Sequence, residues 1–458
     1  MISNCDVLVI GAGAAGLAAA GQLAEAGLSV AIVEARDRVG GRMYTLRDKG
    51  LNAPIELGAE FIHGKPREIW NLLDHSGTKV FEAEGKNLCS DQGRISECDF
   101  WGEVDKILKR MDDKSPDESF RAFLARCWKN SDGDPKLEKA KRRAMAYVVG
   151  FNAADPDLVG VHWLVQGMRA EEKIDGDRAF RAEHGYDDVL NALLAGVKKA
   201  DIPIQTDSVV NEIRWWRGTG VVSGQRNSEK FVIKARSVIV TVPLAVLQAS
   251  PGEMGAIAFS PALHASKRDA LQKLEMGKII RVALKFRHRF WDEIVPPDSD
   301  SESLADLSFL FTKDELFPTW WSPMPMRSPL ITGWAPFRSA ERLSGKDHSF
   351  VTEECLRALA RALGLQFDGI KQHFEESYFH DWQIDPFSRG AYSYGKVGCD
   401  GAQEALGAPL ANTLFFAGEA TDTEGHNGTV HAAIASGYRA AKEVLDFALK
   451  RAVPDLRS

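Results

Sequence analysis

Gly11, Gly13 and Gly16 fall at the spacing G-x-G-x-x-G, and Glu34 follows 18 residues after the last of them. Val7–Ile10, before the glycines, is a short apolar run that reads as a buried parallel strand. Ala14 and Ala15 open an alanine-rich helix that stops by Gly27. The first two glycines allow a tight turn and the approach of a diphosphate, and the third lets helix and strand pack closely. The helix N-terminus then offers bare N–H groups and a positive dipole end to the phosphates. A second strand, Val30–Val33, delivers Glu34, whose carboxylate suits the two hydroxyls of an adenosine ribose and would repel a 2′-phosphate. A dinucleotide other than NADP is implied. Ala35, Arg36, Arg38, Gly40, Gly41 and Arg42 extend the pattern into R-x-x-G-G-R, a second glycine turn whose arginines suit a larger cofactor diphosphate.

Other residues could act on a substrate. In MGKIIRVALKF, Lys278 shares period-two parity with Ile280, Val282, Leu284 and Phe286, which puts a cation at the head of an apolar face. By periodicity alone the strand could equally begin later and leave Lys278 in solvent. Tyr392 and Tyr394 share a strand face, with Trp382 a large flat surface before them; aromatic faces attract cations and exclude water. His63 stands in the glycine-flanked stretch Ile55–Gly64, and Glu60, Glu171 and Glu172 are acids that could line a cationic channel. The last two read equally well as a solvated helix end.

Toward the far end, Leu414–Ala417 reads as a buried strand, Gly418 as a close approach and Glu419 as an acid at the strand's mouth. A helix beginning near Thr429 and Val430 would aim its N-terminal N–H groups at the same place. The two ends together resemble the flavin-containing amine oxidase family, which includes polyamine oxidases, monoamine oxidases, histone lysine demethylases and L-amino-acid oxidases. The resemblance rests on G-x-G-x-x-G…E…R-x-x-G-G-R, on Gly58, Ala59, Glu60 and Phe61 in a G-A-x-x-x-x-G stretch, and on the closing G-E-x-T…G-T-V-H-x-A run. It covers most of the chain.

The resemblance implies an α/β fold: a Rossmann-like FAD-binding domain (GR2 type) interleaved with a mixed sheet-and-helix substrate domain. Residues 1–80, 200–282 and 386–458 would form the first, and 81–199 and 283–385 the second. It implies that Gly58–Phe61 lie along the flavin, that Val209 and Val210 contact the adenine by backbone, and that Lys278 holds a water at flavin N5. Tyr392 and Trp382 would orient the amine and His63 would tune or contact it. Thr429 stands where many members place a second cage aromatic. Ala391 stands where covalently flavinylated members place a cysteine, so non-covalent FAD is expected. The implied reaction takes an amine C–N bond, with a polyamine as the preferred substrate, to an imine that hydrolyses to aldehyde and amine, while oxygen becomes hydrogen peroxide. The alternatives are an L-amino-acid oxidase or related monooxygenase, which needs an arginine for the carboxylate, and a silent FAD-binding scaffold. No long helical insertion or extra N-terminal domain is seen, which weighs against a histone substrate.

Composition bounds the partners. The 458-residue chain carries a net charge of −7, which disfavours nucleic acid and mildly favours a cationic ligand. A length of this order calls for more than one domain. No apolar run approaches the roughly 20 residues of a spanning helix, and no signal peptide fits before the first strand. The six cysteines show no C-x-x-C pair, so neither zinc nor disulfides are expected, and a reducing, cytoplasmic setting is. A small-molecule amine and oxygen are the expected partners, without nucleic acid or membrane, for a monomer or homodimer.

Overall fold

The computed structural model describes residues 2–128, 134–296 and 302–452. Of the polar stretch 296–306, which reads as a loop, residues 297–301 lie outside the described residues and Leu304–Asp306 form a short 3-10 helix. The first strand is Asn4–Ile10, and it pairs in parallel with Val30–Val33 on one side and with the end of Glu229–Val240 on the other. Ile204–Gln205 extends this parallel group beyond Val30–Val33, and Leu414–Phe416 joins it on the far side of Glu229–Val240. Both faces are covered. Val7, Val9 and Ile32 meet the helices Ala14–Glu25, Asp187–Lys199 and Val430–Ala452, while Leu8, Ile10 and Ala31 meet a second core with Trp163 and Phe120. Burial on both sides is why these strands read as unbroken apolar runs rather than alternating ones. An antiparallel extension, Ser208–Trp216 with Thr219–Arg226, and Ala258–Ser260 in parallel beyond it complete an eight-stranded sheet. The turn-prone GQRNSEK stretch, 224–230, reads as a loop, but only its middle turns: its first residues close the strand Thr219–Arg226, whose polar and glycine content hides a strand buried on one face only.

A separate seven-stranded sheet runs Phe374–Tyr378, Ile279–Phe286, Leu330–Pro336, Thr319–Trp321, Leu307–Phe311, Lys86–Asp91, Arg94–Glu97. Helix His348–Leu363 packs its apolar side on one face. The expected boundary at 282/283 falls inside Ile279–Phe286, a strand that belongs whole to this sheet. Likewise Asp187–Lys199, assigned to the substrate half, buries Val189, Leu193 and Val197 in the dinucleotide core.

The cysteine expectation is overturned. Cys89 and Cys98 form a disulfide, because the hairpin Lys86–Asp91/Arg94–Glu97 folds them to a Cα separation of 5.7 Å across nine residues of sequence. Cys5, Cys127, Cys355 and Cys399 are free. Among the described residues no helix is long and apolar enough to cross a membrane, and no cluster could hold a metal ion.

The N-terminal helix and the C-terminal helix cross at Gly437, where an added Cβ would lie 2.3 Å from the Ala15 carbonyl oxygen. This backbone-to-backbone contact has nowhere to relax. Gly437→Ala should destabilise the protein by about 1–3 kcal/mol in denaturant unfolding; a shift under about 0.5 kcal/mol would show that the helices can part freely.

Candidate active site

The glycine loop is built for an anion. Gly16 packs so tightly that a Cβ there would sit 1.9 Å from the Gly11 oxygen, which fixes the helix entry. The helix Ala14–Glu25 has Gly13 as N-cap and no side-chain cap, so its first N–H groups remain open to a ligand. The R-x-x-G-G-R turn docks on this loop through Gly40 N to Ala12 O (2.8 Å). Glu34 is buried at the end of its strand, with Oε2 accepting from Ala12 N (2.8 Å) and Oε1 from Arg36 N (2.9 Å). Asp207 N and Ser208 N donate to the Arg36 and Glu34 carbonyls, bringing Val209 and Val210 alongside.

The arginines divide their work. Arg36 is spent on Asp385 (2.8 Å) and Ser388 (3.0 Å) and lies against Trp382 and Phe387. Arg38 lies over the Tyr44 ring and keeps a buried Nη2 with no partner among the described residues. Arg42 joins the two ends of the chain: Nη1 donates to Glu419 Oε1 (2.9 Å) and to the Ala391 carbonyl (2.7 Å). Glu419 Oε2 in turn accepts from Ser393 Oγ (2.5 Å) and Gly428 N (2.9 Å). Thr429 caps the C-terminal helix, accepting from Ala432 N (3.2 Å), and Val430 is its first residue. Thr429 is thus a helix cap, with its hydroxyl turned back on the His426 carbonyl (2.7 Å).

Of the two readings that periodicity leaves open for Lys278, the structure shows the later strand start and not the head of an inward apolar face. It precedes the strand, is half exposed, and pairs with Glu341 at 2.7 Å. Its apolar parity partners Ile280, Val282, Leu284 and Phe286 face the helix His348–Leu363 core. The opposite parity faces the Gly58–Phe61 segment. There Arg281 donates Nη1 to the Gly58 carbonyl (2.8 Å) and Nη2 to Glu60, with its Nε buried and unpartnered among the described residues. Glu60 also accepts from Arg181 Nε (3.0 Å) and Trp321 Nε1 (2.9 Å). Two guanidiniums therefore hold its carboxyl below the usual range despite burial. Glu60 is an internal counter-ion, not a channel wall. Arg181 and Arg281 were missed because period-two reasoning favours the apolar face of a strand and passes over the cation on the other.

The aromatic side divides too. Tyr394 is buried in the core near Trp163, whereas Tyr392 donates its hydroxyl to the Phe151 carbonyl (2.6 Å) beside Gly428. Trp382 donates to the Leu57 carbonyl (2.8 Å) and packs on His380 between Arg36 and Arg38. His63 lies edge-on to Phe151 (5.2 Å) and near Phe61 (6.1 Å), and Tyr147 stacks on Phe151 at 5.2 Å. Burial pushes His63 down to about 4, so its imidazole is neutral at ordinary pH. His426 and His431, 4.8 Å apart, add two further imidazoles that burial pushes down. Glu171 is largely buried at a helix end, with no ion pair or side-chain hydrogen bond among the described residues. Burial and the charge of Asp177 raise it to about 7. Glu172 is exposed.

A family model described as flavin containing amine oxidoreductase matches residues 14–121 and 101–445. The chain belongs to this family. Curated relatives include lysine-specific histone demethylase 1 homolog 3 of Arabidopsis thaliana, 27% identical over 97% of this chain and 30% of that protein. Lysine-specific histone demethylase 2 of Homo sapiens is 28% identical over 97% of this chain and 54% of its own length. The chain thus spans between 30% and 59% of the length of the demethylases it matches. Polyamine oxidase 4 of Oryza sativa subsp. japonica is 25% identical over 98% of this chain and 91% of its own length. Among solved structures, putrescine oxidase bound to putrescine superposes with TM-score 0.79 at 22% identity, covering 97% of this chain and 100% of that one. Cyclohexylamine oxidase from Brevibacterium oxydans IH-35A gives 0.74 at 19% over 97% and 99%. The fold is α/β as expected, and FAD is the cofactor. The residues present fit that group: an uncapped helix N-terminus, an orphaned Arg38 nitrogen and a carboxylate at the ribose end.

Breaking the half-exposed Lys278–Glu341 pair should change little. Lys278→Met is expected to shift unfolding free energy by less than about 1 kcal/mol. Arg281→Met removes one of two cations from buried Glu60 and should cost about 3–5 kcal/mol. Equal costs in denaturant unfolding would contradict this assignment of the strand faces.

Proposed function

We propose that the protein oxidises a C–N bond of a polyamine, giving an imine that hydrolyses to aldehyde and amine, with oxygen as final acceptor and hydrogen peroxide as product. Bound FAD supplies the two-electron acceptor. Glu34 would take the ribose hydroxyls, and the first turn after Gly13, with Arg38, would take the diphosphate. Arg42 and Glu419 would fix the turn on which the C-terminal helix approaches the ring.

The observation that carries the substrate class is Glu171. A largely buried carboxylate without an ion-pair partner among the described residues acts electrostatically on Tyr147, which stacks on Phe151, which in turn meets His63. That order suits a long cation: an amine beside neutral His63 and Tyr392, aromatic faces along its carbon chain, and an acid for a distal ammonium. Neutral His63 adds no repelling charge. An α-amino acid would need a guanidinium for its carboxylate. Arg181 and Arg281, the buried cations nearest the Gly58–Phe61 segment, are spent on Glu60 and on backbone carbonyls. The similarity to demethylases makes a methylated lysine the second reading, since it too presents a cationic amine.

Anaerobic mixing with spermidine, phenylalanine or a dimethyl-lysine peptide separates the readings. Spermidine should bleach the flavin fastest, and its KM should fall as pH rises through about 7, where Glu171 loses its proton. Glu171→Gln should raise KM by about tenfold, as for a lost charge-assisted contact, and flatten that pH dependence. Faster bleaching by the peptide or by phenylalanine would overturn the polyamine reading.

A further inference from the structure

Lys267 is 1% exposed and, among the described residues, has no carboxylate in contact. It stands on helix Ala265–Lys273 and reaches the end of helix Ala402–Gly407. Its ammonium donates to the carbonyls of Ala405 (3.1 Å), Leu406 (2.6 Å) and Ala408 (2.8 Å). Three acceptors around one nitrogen require three N–H bonds, so the group is charged in this arrangement. The carbonyl left over, Gly407, is taken by Arg439 Nη1 (3.3 Å) from the C-terminal helix. Two cations thus satisfy four successive carbonyls that a helix end leaves without internal partners.

The same two residues grip the strand leading to the Gly418–Glu419 turn. The Lys267 ammonium lies 3.9 Å from the Phe416 ring centroid. Arg439 Nη2 donates to the Phe416 carbonyl (2.7 Å) and to Thr421 Oγ1 (3.1 Å), and Thr421 Oγ1 donates to the Gly418 carbonyl (2.8 Å). Phe416 and Thr421 bracket Gly418–Glu419, the turn whose carboxylate holds Arg42 and Gly428. We propose that Lys267 and Arg439 form a cationic clamp beneath this turn, and that Lys267 is a positioning residue for bound FAD.

The charged groups facing Lys267 are Arg439 and Glu443 of the C-terminal helix, and Glu443 is already paired with Arg439 (2.8 Å). Helix Ala402–Gly407 and strand Leu414–Phe416 offer it carbonyls and a ring. Burial and the Arg439 charge push Lys267 down to about 7. A neutral amine has only two N–H donors, so one carbonyl is abandoned when the proton leaves. The clamp therefore loosens as pH rises through this value.

The test is fluorescence titration of wild-type and Lys267→Met apoprotein with FAD from about pH 6 to about pH 9, spanning the lowered value and approaching that of a free lysine. Wild-type affinity should fall about tenfold across the range, one unit of coupled pKa. Lys267→Met should bind FAD about tenfold more weakly at the acid end, without further pH dependence. If Lys267→Met yields no folded protein, the wild-type series and Arg439→Gln decide: Arg439→Gln should also bind FAD about tenfold more weakly at the acid end. Wild-type-like FAD affinity in either variant, with only a lower melting temperature, would make the clamp a structural cap and overturn the proposal. So would a flat wild-type series.

Discussion

The structure turns on the ion pair between Arg42 and Glu419, residues 377 positions apart. Arg42 belongs to the glycine–arginine turn that docks on the phosphate loop. Glu419 belongs to the turn that starts the closing helix. Each would be a short polar loop on its own, and each would face water. Held together they form one surface, with Ser393 and Gly428 completing the carboxylate's hydrogen bonds. A buried pair stabilises only when its remaining lone pairs are satisfied, and breaking one partner costs about 3–5 kcal/mol. The discontinuous sheet follows from the same constraint. Leu414–Phe416 must pair beside Glu229–Val240 for Glu419 to emerge next to Arg42.

A second buried carboxylate organises the substrate side. Glu60 gathers Arg181 and Arg281 from two different sheets and ties the Gly58–Phe61 segment to both. Its two cations leave a net positive charge there, while Glu171 sits toward Tyr147 with none of its own. Under the proposed function, a cationic substrate lying along Tyr147 and Phe151 would meet attraction at Glu171, neutral imidazole at His63, and a positive wall beyond. That gradient would stop an ammonium short of Glu60 and orient a long amine along its length.

Much of the cofactor half was legible in the sequence because its chemistry is local. Gly11–Gly16, Glu34 and Arg42 act through backbone turns and strand ends that spacing alone locates, and Leu414–Glu419 repeats the pattern. The substrate half was less legible. Lys278 has the right residue type just before a strand, but which face of Ile279–Phe286 looks at the site depends on what covers the other. Helix His348–Leu363, some seventy residues later, makes that choice. Tyr392 and Tyr394 share parity yet part company, because Tyr392 lies just outside a strand of only three residues. Arg36 reads like Arg38 and Arg42 but is taken by Asp385, 349 residues away. The Cys89–Cys98 bridge needed the hairpin register, which polar strands specify weakly.

The account stands most directly on whether Glu419 assembles the cofactor site rather than merely stabilising the fold. Glu419→Gln keeps the shape and removes the charge facing Arg42. Titration of its refolded apoprotein with FAD should show affinity lowered by at least about tenfold, the scale of one charge-assisted contact, with far-ultraviolet circular dichroism unchanged. FAD affinity equal to wild type would contradict the account.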